Sequence, residues 1–167
     1  MRASAGDCPP TRREALARCE ALARCEELAR CEELARCEEL IDVDLVAAVW
    51  DDALAAPRWD GAPVWVHADL IPGNVVLRGG RVTGVLDFGM LTVGDPAYDV
   101  TAAWHLMDER NRGVFLDAVE PDDATVRRAR GLVVSGGVIA LPYYLHTNPA
   151  MVAIARHGIE QVLDDVT

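Results

Sequence analysis

Lysine is missing from the chain: every one of the 16 basic residues among its 167 is arginine. Arginine's planar fork is a poor stand-in for the compact lysine ammonium, so no side chain here brings a point cation of that kind to a phosphate. Basic residues are also outnumbered by acids. The net charge of −11 argues against nucleic acid as a partner, because a phosphate backbone rewards a basic face. Such acidity would draw in a polycationic ligand without identifying one. No apolar run approaches the ~20 residues that a membrane span needs, and the N-terminus has no apolar signal core. The expected location is therefore cytoplasmic, with no membrane partner. A C-x-x-C pair is absent as well. Cys8, Cys19, Cys25, Cys31 and Cys37 have no companion histidine, and the last four lie six apart in a helical pattern, which fits reduced passengers of a repeat better than zinc ligands or disulfides. No Gly-rich phosphate loop and no run of strands precedes Val64.

What is present divides the chain into residues 1–42 and 43–167. Half of the residues are apolar, enough at this length for one packed core. Residues 1–10 end in Pro9-Pro10 and read as disordered. Thr11 followed by Glu14 is a capping-box pattern. From Ala17 to Leu40 the hexamer Ala-Arg-Cys-Glu-Glu-Leu recurs, with Ala21 the one substitution, and Glu20/Arg24, Glu26/Arg30 and Glu32/Arg36 place acid before base at i,i+4. A long helix is expected. Six residues advance about 240° around a helix, so successive leucines point to three sides. That is no coiled-coil seam, which needs a repeat of 3.5. The pattern fits a solvated helix better than an oligomerising one.

After the repeat, Val43 to Ala55 has the spacing of an amphipathic helix, with Leu45, Val46, Val49, Trp50, Ala53 and Leu54 on one face. Val64-Trp65-Val66 reads as a short strand leading into His67. Residues 74–78 and 81–86 read as a hairpin around Gly79-Gly80. Asp95-Pro96 suggests N-cap and first turn of a helix reaching about Asp108 and burying Val100, Ala103, Trp104 and Met107. Further helices are expected over about 111–119, from Asp122 to about Leu141, and from Asn148-Pro149 to about Asp165. Tyr143, Tyr144 and His146 fall at the break between the last two, where aromatics are more often core than contact.

The chemistry concentrates between His67 and Gly89. His67-Ala68-Asp69 is followed by Asn74 and, after the hairpin, by Asp87-Phe88-Gly89. Phosphoryl transfer needs one carboxylate to orient and deprotonate a hydroxyl, and a carboxylate with an amide oxygen to hold Mg²⁺ against nucleotide phosphates. Asp69 fits the first role; Asn74 and Asp87 fit the second, binding metal and cofactor. His67 joins Asp69 as a candidate catalytic residue, bracing the loop through hydrogen bonds. The hairpin returns Asp87 towards Asn74, so distant residues can share one ion.

These motifs, together with Val85-Leu86 before Asp87 and Gly94-Asp95-Pro96-Ala97-Tyr98-Asp99, resemble the catalytic half of the aminoglycoside phosphotransferase family. The resemblance covers about residues 43–166 and is strongest over 64–100. Ala68 and Ile71 stand where the family more often has Gly and His. The resemblance implies an α+β, mainly helical fold: the C-terminal lobe of a protein-kinase-like fold, here preceded by the long repeat helix. It implies ATP as co-substrate with Mg²⁺, and a small-molecule hydroxyl as acceptor. It further implies that Asp99 anchors the catalytic-loop backbone, and that the region of Tyr143 lines the acceptor pocket. The family's nucleotide-binding lobe, with its lysine, has no room in residues 1–63. The expectation is a phosphotransferase that is truncated and weak alone, or one that takes the missing lobe from a partner chain. The alternative is a catalytically silent remnant serving as a helical interaction module.

Overall fold

The computed structural model describes Cys37 and residues 40–167. The disordered start and nearly all of the expected repeat helix lie outside these residues. The first complete element is helix α1 (Val43–Ala55), which Asp42 caps by accepting from Leu45 N at 3.0 Å. It buries Val46, Val49 and Trp50. Leu54, expected on the same face, is 55% exposed, because the buried stripe is narrower than the apolar one.

The strands are short. β1 (Val64–Val66) pairs antiparallel with β4 (Thr92–Gly94), Trp65 opposite Val93. β2 (Val75–Arg78) and β3 (Arg81–Val85) form the expected hairpin. Gly79 and Gly80 both have positive φ, +58° and +75°, the requirement of a two-residue turn that matches strand twist. Thr83 is the extra residue of a bulge, and its hydroxyl donates to Val76 O at 3.2 Å. A 3₁₀ turn, Phe88–Met90, links the hairpin to β4. Neither that turn nor β4 was expected, since three residues pairing across a long sequence gap leave almost no local pattern.

Asp95 accepts from Ala97 N at 2.9 Å, as a cap would. The helix that follows is broken into α2 (Ala97–Val100) and α3 (Ala102–His105). At the break, Thr101 turns its hydroxyl back onto Tyr98 O at 2.6 Å, a local bond that competes with the helical ladder. The helix does not reach Asp108, which instead caps α4 (Glu109–Val119) by accepting from Asn111 N. Met107 is accordingly only half-buried, whereas Val100, Ala103 and Trp104 are buried as expected.

Two long helices complete the lobe, α5 (Asp123–Tyr144) and α6 (Pro149–Val166), capped by Asp122 and Asn148. They pack on each other and on α1. Gly131 and Gly137 permit this: a Cβ on Gly131 would collide with that of Ala53, and one on Gly137 would stand 2.7 Å from Ile159 Cδ1. Asp165 closes the far end, accepting from Trp104 Nε1 (3.2 Å) and Arg130 (2.6 Å) and pairing with buried Arg112 (3.3 Å).

Pro142 lies inside α5, beyond the expected helix end. It has no N–H for the carbonyl of Val138, four residues earlier. The Cys37 thiol fills that gap, donating to Val138 O at 3.8 Å from a fully buried position. Cys37 is therefore part of the core, not a passenger of its repeat. Tyr143 differs from expectation too: it is 73% exposed and packs edge-on against Tyr144.

Candidate active site

The loop after β1 is held by backbone geometry as much as by side chains. Val66 is buried and fixes the strand's end. The next two amides, His67 N and Ala68 N, donate to the two oxygens of Asp99 at 2.9 and 2.8 Å. Asp99 sits in the first turn of α2. The acid thus ties the loop to the helical core, the role that the resemblance implied for it. Ala68 has φ +62°, a left-handed conformation that costs a non-glycine residue about 1 kcal/mol. That conformation gives a physical reason for glycine at this position.

Asp69 and Asn74 meet directly. Asn74 Nδ2 donates to Asp69 Oδ2 at 2.8 Å and to Asp69 O at 2.9 Å. Both residues are half-buried. With Nδ2 turned to Asp69, the amide's Oδ1 is its remaining donor atom for a cation. Asn74 O in turn accepts from Leu86 N at 2.8 Å. This bond brings the residue before Asp87 alongside the loop.

His67 closes the same circuit from below. Its Nε2 donates to Leu86 O at 2.9 Å, and since a carbonyl only accepts, the ring carries its proton on Nε2. Phe88 packs edge-on against the ring, centroids 4.9 Å apart. Leu86 is therefore tied by Asn74 on one side and His67 on the other. Asp87 follows with φ +55°, its Oδ1 accepting from Gly89 N at 3.2 Å, and is exposed. One hydrogen-bonded web thus joins Asp99, His67, Asp69, Asn74 and the base of Asp87. All four site residues expected from the sequence lie in it or directly next to it.

The oxygen donors on offer are the Asn74 amide and the Asp87 carboxylate, a hard set suited to Mg²⁺, which takes one or two protein carboxylates, keeps several waters and uses phosphate oxygens for the rest. Among the described residues no three of His, Cys, Asp and Glu gather to hold an ion by themselves. Beside the web, the hairpin and the 3₁₀ turn expose Leu77, Val82, Leu86, Phe88 and Met90.

Sequence reasoning missed one residue whose protonation the fold changes. His105, at the end of α3, has a pKa lowered from 6.5 to about 4 by burial first and by His157 second, with Asp69 opposing the shift. A histidine after a tryptophan in a helix gives no local signal of this.

Residues 2–132 match the model of the phosphotransferase enzyme family, APH. A homoserine kinase of Gluconobacter oxydans (strain 621H) is 35% identical over 68 residues, which is 39% of this chain and 20% of that protein. Among solved structures, the gentamicin-APH(2")-IIa complex aligns over 86% of this chain and 50% of its own, with TM-score 0.46 and 18% identity. A thermostable mutant of aminoglycoside phosphotransferase APH(4)-Ia aligns over 78% and 47%, with TM-score 0.44 and 23% identity. ADP-bound aminoglycoside phosphotransferase APH(2'')-Ib aligns over 83% and 49%, with TM-score 0.44 and 18% identity. The chain spans about half the length of these structures and a fifth of the homoserine kinase. Its mainly helical α+β lobe, with a loop-bearing strand and a hairpin, carries the motif set in the expected order. On the family match over residues 2–132, the chain belongs to the phosphotransferase enzyme family.

Proposed function

We propose that this lobe transfers the γ-phosphoryl group of ATP to a hydroxyl of a small molecule, an aminoglycoside-like compound or an amino alcohol such as homoserine. The observation that carries the reading is the bond between Asp69 and Asn74 together with the tie from Asn74 to Leu86. Asp69 orients the acceptor hydroxyl and takes its proton as the oxygen attacks phosphorus. Asn74 holds the Asp69 carboxylate in place, so that the base does not have to reorganise during transfer. His67 and Asp99 keep the loop backbone fixed beneath it. Asn74 and Asp87 would hold Mg²⁺, which would offset the negative charge of the nucleotide phosphates.

The nucleotide side supports a second part of the proposal. Exposed Leu77, Val82, Leu86, Phe88 and Met90 form the kind of apolar surface that marks a ligand or protein contact. We read it as covered by the nucleotide and by a second lobe, taken from outside residues 37–167 or from a partner chain. No residue of the chain is a lysine, so the phosphate clamp needs that lobe. The reaction then belongs in the cytoplasm, where ATP is supplied. A radiometric ATP assay with aminoglycosides, amino alcohols and sugars tests both parts, with Asp69→Ala as blank. The expected result is slow, acceptor-dependent transfer that Asp69→Ala and Asp87→Asn abolish. ATP consumption no greater than that of the Asp69→Ala blank with every acceptor would favour the silent interaction module. Turnover at the rate of ordinary small-molecule kinases, about 1–100 s⁻¹, would defeat the need for a further lobe.

A further inference from the structure

The β2–β3 hairpin joins the two residues placed to hold metal: Asn74 comes just before β2, and Asp87 follows two residues past the end of β3. Little else supports it. Neither strand makes more than marginal contact with any other described helix or strand. Leu77 and Val82 are partners in register and each is 64% exposed, while Val76, on the opposite face, is 39% exposed, so water reaches both sides of the ribbon. A two-stranded ribbon without a packed face is marginally stable. Its tip is weaker still. Arg78 lies opposite Arg81, and like charges so placed destabilise a strand pair. No carboxylate among the described residues pairs with either, although Arg112, Arg127, Arg128 and Arg130 on the helices each have one.

We propose that the hairpin is a conformational switch for the metal site, closed about half of the time in the uncovered lobe and held near that balance by the Arg78–Arg81 pair. This rests on the reading of Asn74 and Asp87 as metal ligands given above. The coupling runs through one bond. Leu86 N donates to Asn74 O at 2.8 Å, the rung that follows the Val75–Val85 pair, and it sets Asp87 beside the amide. When the ladder opens, that rung is lost; His67 still holds Leu86 O, which fixes neither Asn74 nor the Asp87 carboxylate. Only the closed hairpin presents both oxygen donors together, so apparent affinity for the cation falls with the fraction closed. By reciprocity, a bound cation favours the closed hairpin. Burial of Leu77 and Val82 has the same effect, and the second lobe proposed above would bury them. Metal and lobe therefore reinforce each other, and the uncovered lobe holds its cation weakly.

The probe is Mg²⁺ alone, titrated into the full chain while NMR follows the amides of Asn74, Asp87, the hairpin strands and α5. In the wild type the hairpin amides should exchange far faster than those of α5, and Mg²⁺ at about ten times its Kd should slow them about tenfold. Gly79→Ala/Gly80→Ala puts side chains on two left-handed residues (φ +58° and +75°) with open space around them, so it weakens the turn without changing charge or the metal ligands. Mg²⁺ affinity should then fall about tenfold. Arg81→Glu turns repulsion into attraction and should raise affinity by up to about twofold, the limit for a hairpin that starts half closed. Arg78→Glu/Arg81→Glu restores the repulsion and should return affinity to the wild-type value; a further rise would mean that charge acts on the cation through space, and would overturn the part given to the arginine pair. Unchanged exchange in α5 shows that each variant is folded. Equal Mg²⁺ affinity in wild type and Gly79→Ala/Gly80→Ala, or wild-type hairpin amides as protected as those of α5, overturns the switch alone. No response of Asn74 or Asp87 to Mg²⁺ in the wild type overturns the metal site, and this proposal with it.

Discussion

Replacing Asp99 should loosen the catalytic loop before it unfolds the lobe. Its carboxylate accepts two backbone N–H bonds, from His67 at 2.9 Å and Ala68 at 2.8 Å, and bonds to a charged acceptor contribute about 1.5–3 kcal/mol each. The site is half-buried, so water recovers part of this in the variant, and about 2–4 kcal/mol should be lost in Asp99→Ala. Ala68 adds to the effect. Its left-handed conformation (φ +62°) is held against about 1 kcal/mol of strain, which the released loop no longer has to bear. The loss should therefore appear locally, as exchange of the His67 and Ala68 amides about thirty to a thousand times faster, with a smaller change in the urea midpoint. Asp99→Asn keeps one acceptor oxygen and should fall between. Hydrogen exchange read by NMR on both variants decides the matter. Unchanged protection of both amides in Asp99→Ala would refute the anchoring role, and a purely global loss would mean that loop and core open together.

Four further outcomes follow from other parts of the molecule. Gly131→Ala sets a Cβ against that of Ala53 and should destabilise the α1–α5 contact by about 1–3 kcal/mol, read from urea unfolding. His105 titrates at about 4 folded against 6.5 unfolded, so the unfolded chain binds more protons between these values. Stability should fall as pH drops from about 6.5 to 4, by up to about 3 kcal/mol from this group, and the pH slope of His105→Gln should be shallower than that of wild type. Millimolar Mg²⁺ should raise the melting temperature by mass action, and Asp87→Asn should remove the response. Deleting residues 1–36, which spares buried Cys37, should leave a cooperatively melting product; a large fall in melting temperature would assign the repeat a structural role.

Much of the lobe was legible because its signals are local. Caps at Asp42, Asp122 and Asn148, the Gly79-Gly80 turn and the apolar spacing of α1 each act within a few residues, and the structure places those elements within a few residues of where the sequence puts them. The errors share a cause as well. Asp108 reads equally as the end of one helix or the start of the next, and only its bond to Asn111 N decides. β4 exists because β1 lies beside it.

Composition and spacing by themselves determined the chemistry on offer: two acids and an amide in kinase order around a hairpin, in a chain with no lysine. Those facts need no coordinates, because they concern which atoms are available. Which atoms meet was decided by tertiary packing. Asn74 turning its Nδ2 to Asp69, His67 and Asn74 holding Leu86 between them, and Asp99 reaching back to the loop all join residues through contacts made across the fold. Cys37 is the plainest case. As sequence it is one of four equivalent repeat cysteines, and it becomes part of the core because Pro142, far along the chain, leaves the Val138 carbonyl without its N–H. A carbonyl deprived of its partner can only be satisfied by whatever the fold brings near it, and no local pattern records what that will be.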